Sequence, residues 1–294
     1  MVSRPSRDGG GSELRATNAH SERRSLRRRR LLMIMGGVAR ITAASSDDAI
    51  LAVLHETADA IAEVLAANDD WSLSGLRATQ YSVDVKVDAA ALEVLGAAGV
   101  SVLSEESGVT GEFGDGAVQV VMDPLDGSTN CARRVPWYAT ALCARDARGP
   151  RAALVVNQAS GTDRWWAARG AGAWKNGARI APSRCATLGE AVVGVSGHPR
   201  GRGGWAQFRA LGAAALDICL VAEGTLDAWV DFGQHGIWDY LASALICTEA
   251  GALVADVEGR EVNAPHHDDR RVVVAAATAP LHESLLALRR TPVH

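Results

Sequence analysis

No stretch of this 294-residue sequence is both long and apolar enough to span a bilayer: the nearest approach, 31–39, is short and ends at Arg40. The five cysteines (Cys131, Cys143, Cys185, Cys219, Cys247) form no Cys-x-x-Cys pair and are odd in number. That excludes a zinc ribbon and a disulfide framework, and widely spaced thiols in mostly apolar surroundings read as reduced core residues of a cytoplasmic protein. Lysine is almost absent, with only Lys86 and Lys175. The glycine-bearing run around the second, "RGAGAWKNGARI", carries neither a phosphate-loop Lys-Ser/Thr nor a dinucleotide fingerprint, so it reads as a hairpin turning at Asn176-Gly177. His55-Glu56 lacks the second histidine of a zinc helix, and no internal repeat is visible.

What charge there is lies unevenly. The net charge is −4, yet residues 1–40 hold ten arginines against three acids, so that segment carries +7 and the remainder −11. An acidic body argues against nucleic acid as a partner, and nothing points to a membrane. The Gly/Ser/Arg-rich head cannot bury a core, so residues 1–45 are expected to form a disordered extension. Its basic-then-apolar order superficially imitates an export signal; we read it instead as an early translation start, with Met33 or Met35 as the real one.

Apolar residues recur at three and four from Asp47 to Ala67, which predicts a helix with an acidic start, and a second helix is expected over about 89–98. Closely spaced strand-like runs follow ("VSVLSE", "VQVVMD", "ATALCAR", "AALVVNQ", "RWWAARG"), which suggests an antiparallel sheet flanked by the early helices. Beyond about Cys185 strands and helices alternate. The expected organisation is an N-terminal α+β half over 46–187 and a smaller α/β half over 188–294. Asp84, Lys86 and Asp88 alternate as a strand's exposed charge ladder would.

The chemistry concentrates in "MDPLDGSTN". Two aspartates ending a buried strand repel each other unless a cation sits between them. Asp123 and Asp126 converge if the chain bends at Pro124, leaving the Leu125 carbonyl free. Gly127 lets backbone approach a ligand, and Ser128 onward looks like a helix start offering N–H groups to an anion. Taken alone, "DPLDGS" is also consistent with a simple Asp-initiated turn; an EF-hand loop fails on spacing. Further acids tip the balance: Glu105 and Glu106 end another predicted strand, and Asp239 opens an otherwise apolar helix. Metal plus anion makes a phosphate site.

These motifs, "SEESG", "MDPLDGSTN", "RGAGAWKNG" and "WDYLASALICTEAGA", in that order, resemble the inositol monophosphatase family of Mg²⁺-dependent, lithium-sensitive phosphatases, from about Asp47 to the C-terminus. The resemblance implies a layered αβαβα sandwich of the sugar-phosphatase type. It implies one Mg²⁺ held by Glu105, Asp123 and the Leu125 carbonyl, and a second by Asp123, Asp126 and Asp239. Catalysis would fall to Glu105, Asp123 and Ser128, with metal-activated water as nucleophile, and Gly127 and Ser128 would bind phosphate. A third, weaker metal site would use Asp88, although the lysine the family places upstream of it is missing. Ala214 and Asp231 stand where the family contacts inositol hydroxyls, but the loop "DFGQHGIWD" is one residue longer than in the inositol enzymes. The implied partner is a small phosphorylated metabolite, inositol 1-phosphate first, with histidinol phosphate, fructose 1,6-bisphosphate and phosphoadenosine phosphate as alternatives; a homodimer is compatible. A catalytically silent metal- and phosphate-binding protein is the non-enzyme alternative.

Overall fold

The computed structural model describes residues 40–114, 116–199 and 203–290. The Arg-rich head over 1–39, with both candidate start methionines, and the centre of the loop "GVSGHPRGRGGW" lie outside them. The described residues from 41 onward gather into one compact unit. Residues 40–45, at the end of the segment assigned to the extension, belong to the described structure. Ile41 is buried and its N–H reaches the Ala98 carbonyl (2.9 Å), while Arg151 takes the carbonyls of Ala43 (2.8 Å) and Ser45 (2.5 Å).

Helix α1 spans Asp47–Ala67, as the spacing predicts. Ser46 caps it by accepting the Ala49 N–H (3.2 Å), and Asp47 and Asp48 face the positive end of its dipole. Helix α2 runs Ser82–Ala97, starting well before the expected 89. The run V-D-V-K-V-D fits period 2 and period 3.6 alike; burial of Val83, Val87, Ala91, Val94 and Leu95 decides for the helix. The expected charge ladder is therefore corrected: Asp84 and Asp88 share the buried face, whereas Lys86 is exposed and bonds Asn68 Oδ1 (2.8 Å).

Strands β1 (Ser101–Ser104), β2 (Gly108–Thr110), β3 (Gln119–Asp126), β4 (Ala139–Asp146), β5 (Gly149–Asn157), β6 (Arg164–Ala168), β7 (Gly172–Lys175) and β8 (Ala178–Arg179) form the first sheet, in the order β2-β1-β3-β4-β5-β6-β7-β8. It is antiparallel except for β1 and β3, which run parallel because the short β2 hairpin occupies the edge and the chain returns on the other side of β1. The β7–β8 turn is the expected one, with positive φ at Asn176 and Gly177. After the short helix α3 (Ser128–Arg133) and the rest of this sheet, the chain enters the second sheet at β9 (Val192–Ser196), followed by β10 (Gln207–Arg209), helix α4 (Ala214–Ala222), β11 (Ala228–Asp231), helix α5 (Ile237–Ala250), β12 (Leu253–Asp256), β13 (Val273–Ala276) and helix α6 (Ala279–Arg290). The second sheet is ordered β10-β9-β11-β13-β12, with β9, β10 and β11 parallel and β13 antiparallel to both neighbours.

Helices α1 and α2 cover one face of the first sheet, α4 and α5 fill the space between the sheets, and α6 covers the outer face of the second. The result is the αβαβα sandwich. Its main core joins Val121, Cys143 and Val155 to Ile218, Leu241, Ile246, Trp229 and Val273. All five cysteines are free. Among the described residues no helix is long and apolar enough to cross a membrane.

Candidate active site

The site grows from a defect in the β3–β4 ladder. Asp123 pairs with Ala141 and Asp126 with Ala139, so three steps along β3 match two along β4. In a regular strand residues three apart point to opposite faces; the extra residue turns both aspartates toward one side. Pro124 makes the defect cheap, because it has no N–H to offer the ladder, and its carbonyl accepts the Thr140 hydroxyl (2.9 Å). The Leu125 N–H turns onto Asp123 Oδ1 (2.9 Å). Asp123 follows Val121 on the face that packs against α5.

Two other elements bring acids to the same place. Glu105 lies just past β1, where its N–H donates to the Met122 carbonyl (3.2 Å). Asp239 is the third residue of α5, where its carboxylate accepts the Gly236 N–H (2.9 Å) at the helix N-terminus. Carboxylate oxygens of Glu105, Asp123 and Asp239 lie within 4.8 Å of one another, the one such group among the described residues. Asp126, buried beside them, accepts the Ala215 N–H from the start of α4 (2.7 Å). Burial, and then the neighbouring charge of Asp239, pushes the carboxyl groups of Glu105 and Asp126 up to about 8; burial and the charges of Glu105 and Asp126 push Asp123 well above the usual carboxylate range. Acceptor-only groups crowded to this degree fit a hard divalent cation, which removes both the repulsion and the desolvation cost.

Immediately beyond the bulge, Gly127 takes φ 81° to start α3, a conformation that strains any side chain, and a Cβ there would also be crowded, 3.1 Å from the Gly212 carbonyl oxygen and 3.2 Å from that of Trp137. Ser128 follows at the helix start, half-buried. Ala214 is buried one residue before the amide that holds Asp126. Asp88 is not in the carboxylate group; its Oδ1 accepts the Ser104 hydroxyl (2.5 Å) beneath the Glu105 strand. Glu106 is tied back by Arg77 and Gln80.

Asp231 corrects the sequence reading. It is fully buried, with Oδ1 accepting the Gly233 N–H (2.7 Å) and Oδ2 bonded to His235 Nδ1 (2.9 Å), so it has no surface to offer a substrate hydroxyl. Two residues of this neighbourhood were missed. One is His235: burial alone would lower the pKa of its imidazole, but the Asp231 bond and the charges of Asp239 and Asp126 raise it to about 9. The other is Asp217, buried in α4 and accepting the Trp137 indole N–H (2.7 Å). A lone aspartate in "AAALDICLVA" and a histidine four residues before Asp239 were the available signals.

Comparison with known proteins agrees with this geometry. A fructose-1,6-bisphosphatase/inositol-1-monophosphatase of Archaeoglobus fulgidus is 33% identical over 214 residues, 70% of this chain and 82% of that protein. The Nus factor SuhB of Escherichia coli K12 is 33% identical over 174 residues, 54% of this chain and 64% of that protein. Among solved structures, an inositol monophosphatase-fructose 1,6 bisphosphatase superposes with a TM-score of 0.70 at 26% identity, covering 80% of this chain and 98% of that one. The extragenic suppressor protein suhB of Bartonella henselae gives 0.70 at 25% identity, covering 83% of this chain and 100% of that one. The model of the inositol monophosphatase family matches residues 46–293, and with that breadth of match the chain belongs to the inositol monophosphatase family.

Proposed function

We propose that the protein is a Mg²⁺-dependent phosphomonoesterase acting on a small polyol phosphate, inositol 1-phosphate first. The observation that carries this reading is the group of Glu105, Asp123 and Asp239, gathered at a bulge that runs straight into Gly127 and Ser128. Glu105, Asp123, Asp126, Asp239 and the Leu125 carbonyl would hold the cations. Bound there, Mg²⁺ would supply Lewis acidity toward a phosphoryl oxygen and make water a stronger acid. The chain's own groups do the rest. Glu105 takes the proton of the attacking water, the Ser128 hydroxyl orients that water, and the N–H groups of Gly127 and Ser128 donate to phosphoryl oxygens. Water's oxygen bonds phosphorus, the ester P–O bond breaks, and the alcohol leaves with a proton from solvent.

Fructose 1,6-bisphosphate is the second candidate, supported by the relatives named for both activities. The deciding experiment measures phosphate release from inositol 1-phosphate and fructose 1,6-bisphosphate with Mg²⁺ and with a chelator. Release that requires Mg²⁺ supports the reading; no release from either ester, with the fold intact, refutes it.

A further inference from the structure

A cavity of about 350 Å³ opens at the C-terminal end of α3, and none of Glu105, Asp123, Asp126, Gly127, Ser128 or Asp239 lines it. Leu65 and Ala66, in the last turn of α1, form one wall, and Trp71, in the connection from α1 to α2, forms another. Arg134 and Tyr138, between α3 and β4, and Gln158, just past β5, supply the rest of the argument's surface. The volume suits a small organic molecule.

Arg134 is the one charged residue in this lining. It takes φ 61°, a left-handed conformation that suits glycine better than a residue with a Cβ. The side chain carried there has no use inside the protein: among the described residues no hydrogen bond or ion pair holds its guanidinium. The N–H of the half-buried Trp71 indole is equally free among them. The Tyr138 hydroxyl, by contrast, meets the Cys131 thiol, so Tyr138 offers its ring. Gln158 is fixed, with its side-chain amide donating to the Ala58 carbonyl (3.1 Å) and the Thr140 hydroxyl (2.9 Å). Two aromatic rings, an aliphatic wall and an unpaired guanidinium select a flat apolar body bearing one anionic group. A carboxylate matches the forked N–H groups of arginine. A phosphate dianion would lack a second cation here, and a cation would find no acid.

Two of the walls lead to the carboxylate group. Arg134 closes the helix that Gly127 and Ser128 open, its N–H bonded to the carbonyls of Asn130 and Cys131. The connection that carries Trp71 continues to Arg77, whose guanidinium donates to the main-chain carbonyls of Glu105 (3.2 Å) and Glu106 (2.7 Å). We propose that this cavity is an effector site for a small aromatic carboxylate, and that its occupancy raises turnover at the carboxylate group. A molecule bridging Trp71 to Arg134 favours the arrangement in which Glu105 and the start of α3 are both held, because it binds that arrangement and not one with the walls apart. The binding site stands on the cavity alone; the effect on turnover rests on the phosphomonoesterase reading.

Calorimetry on the full chain, with indole-3-acetate as probe beside indole and tryptamine, reads binding without turnover. Indole-3-acetate is expected to bind at least about tenfold more tightly than indole, the worth of a charged hydrogen bond, and tryptamine most weakly. R134G removes the guanidinium while easing the left-handed backbone, so it should keep the melting temperature and lose that preference. A66F fills the cavity from the exposed side of α1 and should lose binding of both indole and the acid. In parallel, with Mg²⁺ and the better of inositol 1-phosphate and fructose 1,6-bisphosphate, saturating indole-3-acetate should raise kcat/KM about fivefold or more, and should leave it unchanged in R134G and A66F. Equal binding of indole and indole-3-acetate, or a preference that survives in R134G, would overturn the site. If melting curves show that R134G does not fold, binding retained in A66F overturns it instead. A probe that saturates the protein and leaves kcat/KM unchanged or lower overturns the effector role. If the protein binds the probe but hydrolyses neither ester, the site stands, and the phosphomonoesterase reading falls with the effector role.

Discussion

The two ends of the first sheet handle buried carboxylates in opposite ways. At the end where β3 finishes, Glu105, Asp123, Asp126 and Asp239 crowd together; burial raises all four pKa values, neighbouring carboxylates add to this at Glu105, Asp123 and Asp126, and the charges of His235 and Arg270 offset part of it at Asp239. At the other end, where β4 finishes, Asp146 is equally short of solvent but sits among arginines. Arg169 Nη2 donates to Oδ1 (3.0 Å), as does the Arg148 N–H (2.8 Å), while Arg151 Nε approaches Oδ2 (4.0 Å). Burial would push Asp146 up, but these donors hold it below the usual carboxylate range. The same residue type on the same sheet is thus a structural anchor where the fold supplies its cations and a liability where it does not. A fold that keeps four unpaired acids together sacrifices stability for a site.

The sharpest way to break the comparison is at Asp123. Asp123→Asn is expected to abolish nearly all phosphate release while raising the melting temperature in chelator, because one repelling charge is gone; near-normal turnover would remove the residue from the site. Next in size, Ser128→Ala should lower kcat by on the order of 10²–10³, as loss of one preorganised group does, with Ser128→Thr mild; equal rates in all three proteins would exclude the hydroxyl.

The stability effects are smaller and opposite in sign at the two ends. Groups whose folded pKa is raised stabilise the fold only below their unfolded values and lose that contribution as pH rises toward about 8, the level of Glu105 and Asp126. The melting temperature of the chelated protein should therefore fall between about pH 4.5 and 8, and Mg²⁺ should recover most of the loss; a flat profile in chelator would contradict the crowding. Asp146, with its folded pKa depressed, contributes above its unfolded value and loses that as pH falls. Asp146→Asn should cost about 1–3 kcal/mol in denaturant melts while leaving kcat within about twofold, the range for a charged hydrogen bond far from the chemistry. Smallest of all, truncation through residue 40 should leave both activity and melting temperature unchanged. Truncation through residue 46 removes two carbonyls from Arg151 and the cap of α1, and should lower the melting temperature by a few degrees.

Much of this was legible in the chain. The period of α1, the acidic strand ends and the Asn176-Gly177 turn each have a local cause, and local causes are written in neighbouring residues. The errors fell where local patterns are degenerate. "SVDVKVDAA" satisfies two periods at once, and only packing against β1 and β3 makes it a helix with Asp84 and Asp88 inward. Asp231 ends its strand as expected, but whether its carboxylate faces a substrate or a histidine depends on how a loop closes, which no spacing encodes.

The sequence by itself determined which residues carry the chemistry: acids at the ends of predicted strands and at a helix start, a proline where a ladder bond must be missing, and a glycine where backbone must come close. Tertiary structure alone decided which of those acids meet. Asp123, Glu105 and Asp239 come from three elements up to 134 positions apart in the chain, and only the stacking of α5 on the first sheet brings them within 4.8 Å. It also decided that Asp146 is paired and Asp231 enclosed, because whether a buried charge finds a partner is settled by what the fold packs against it.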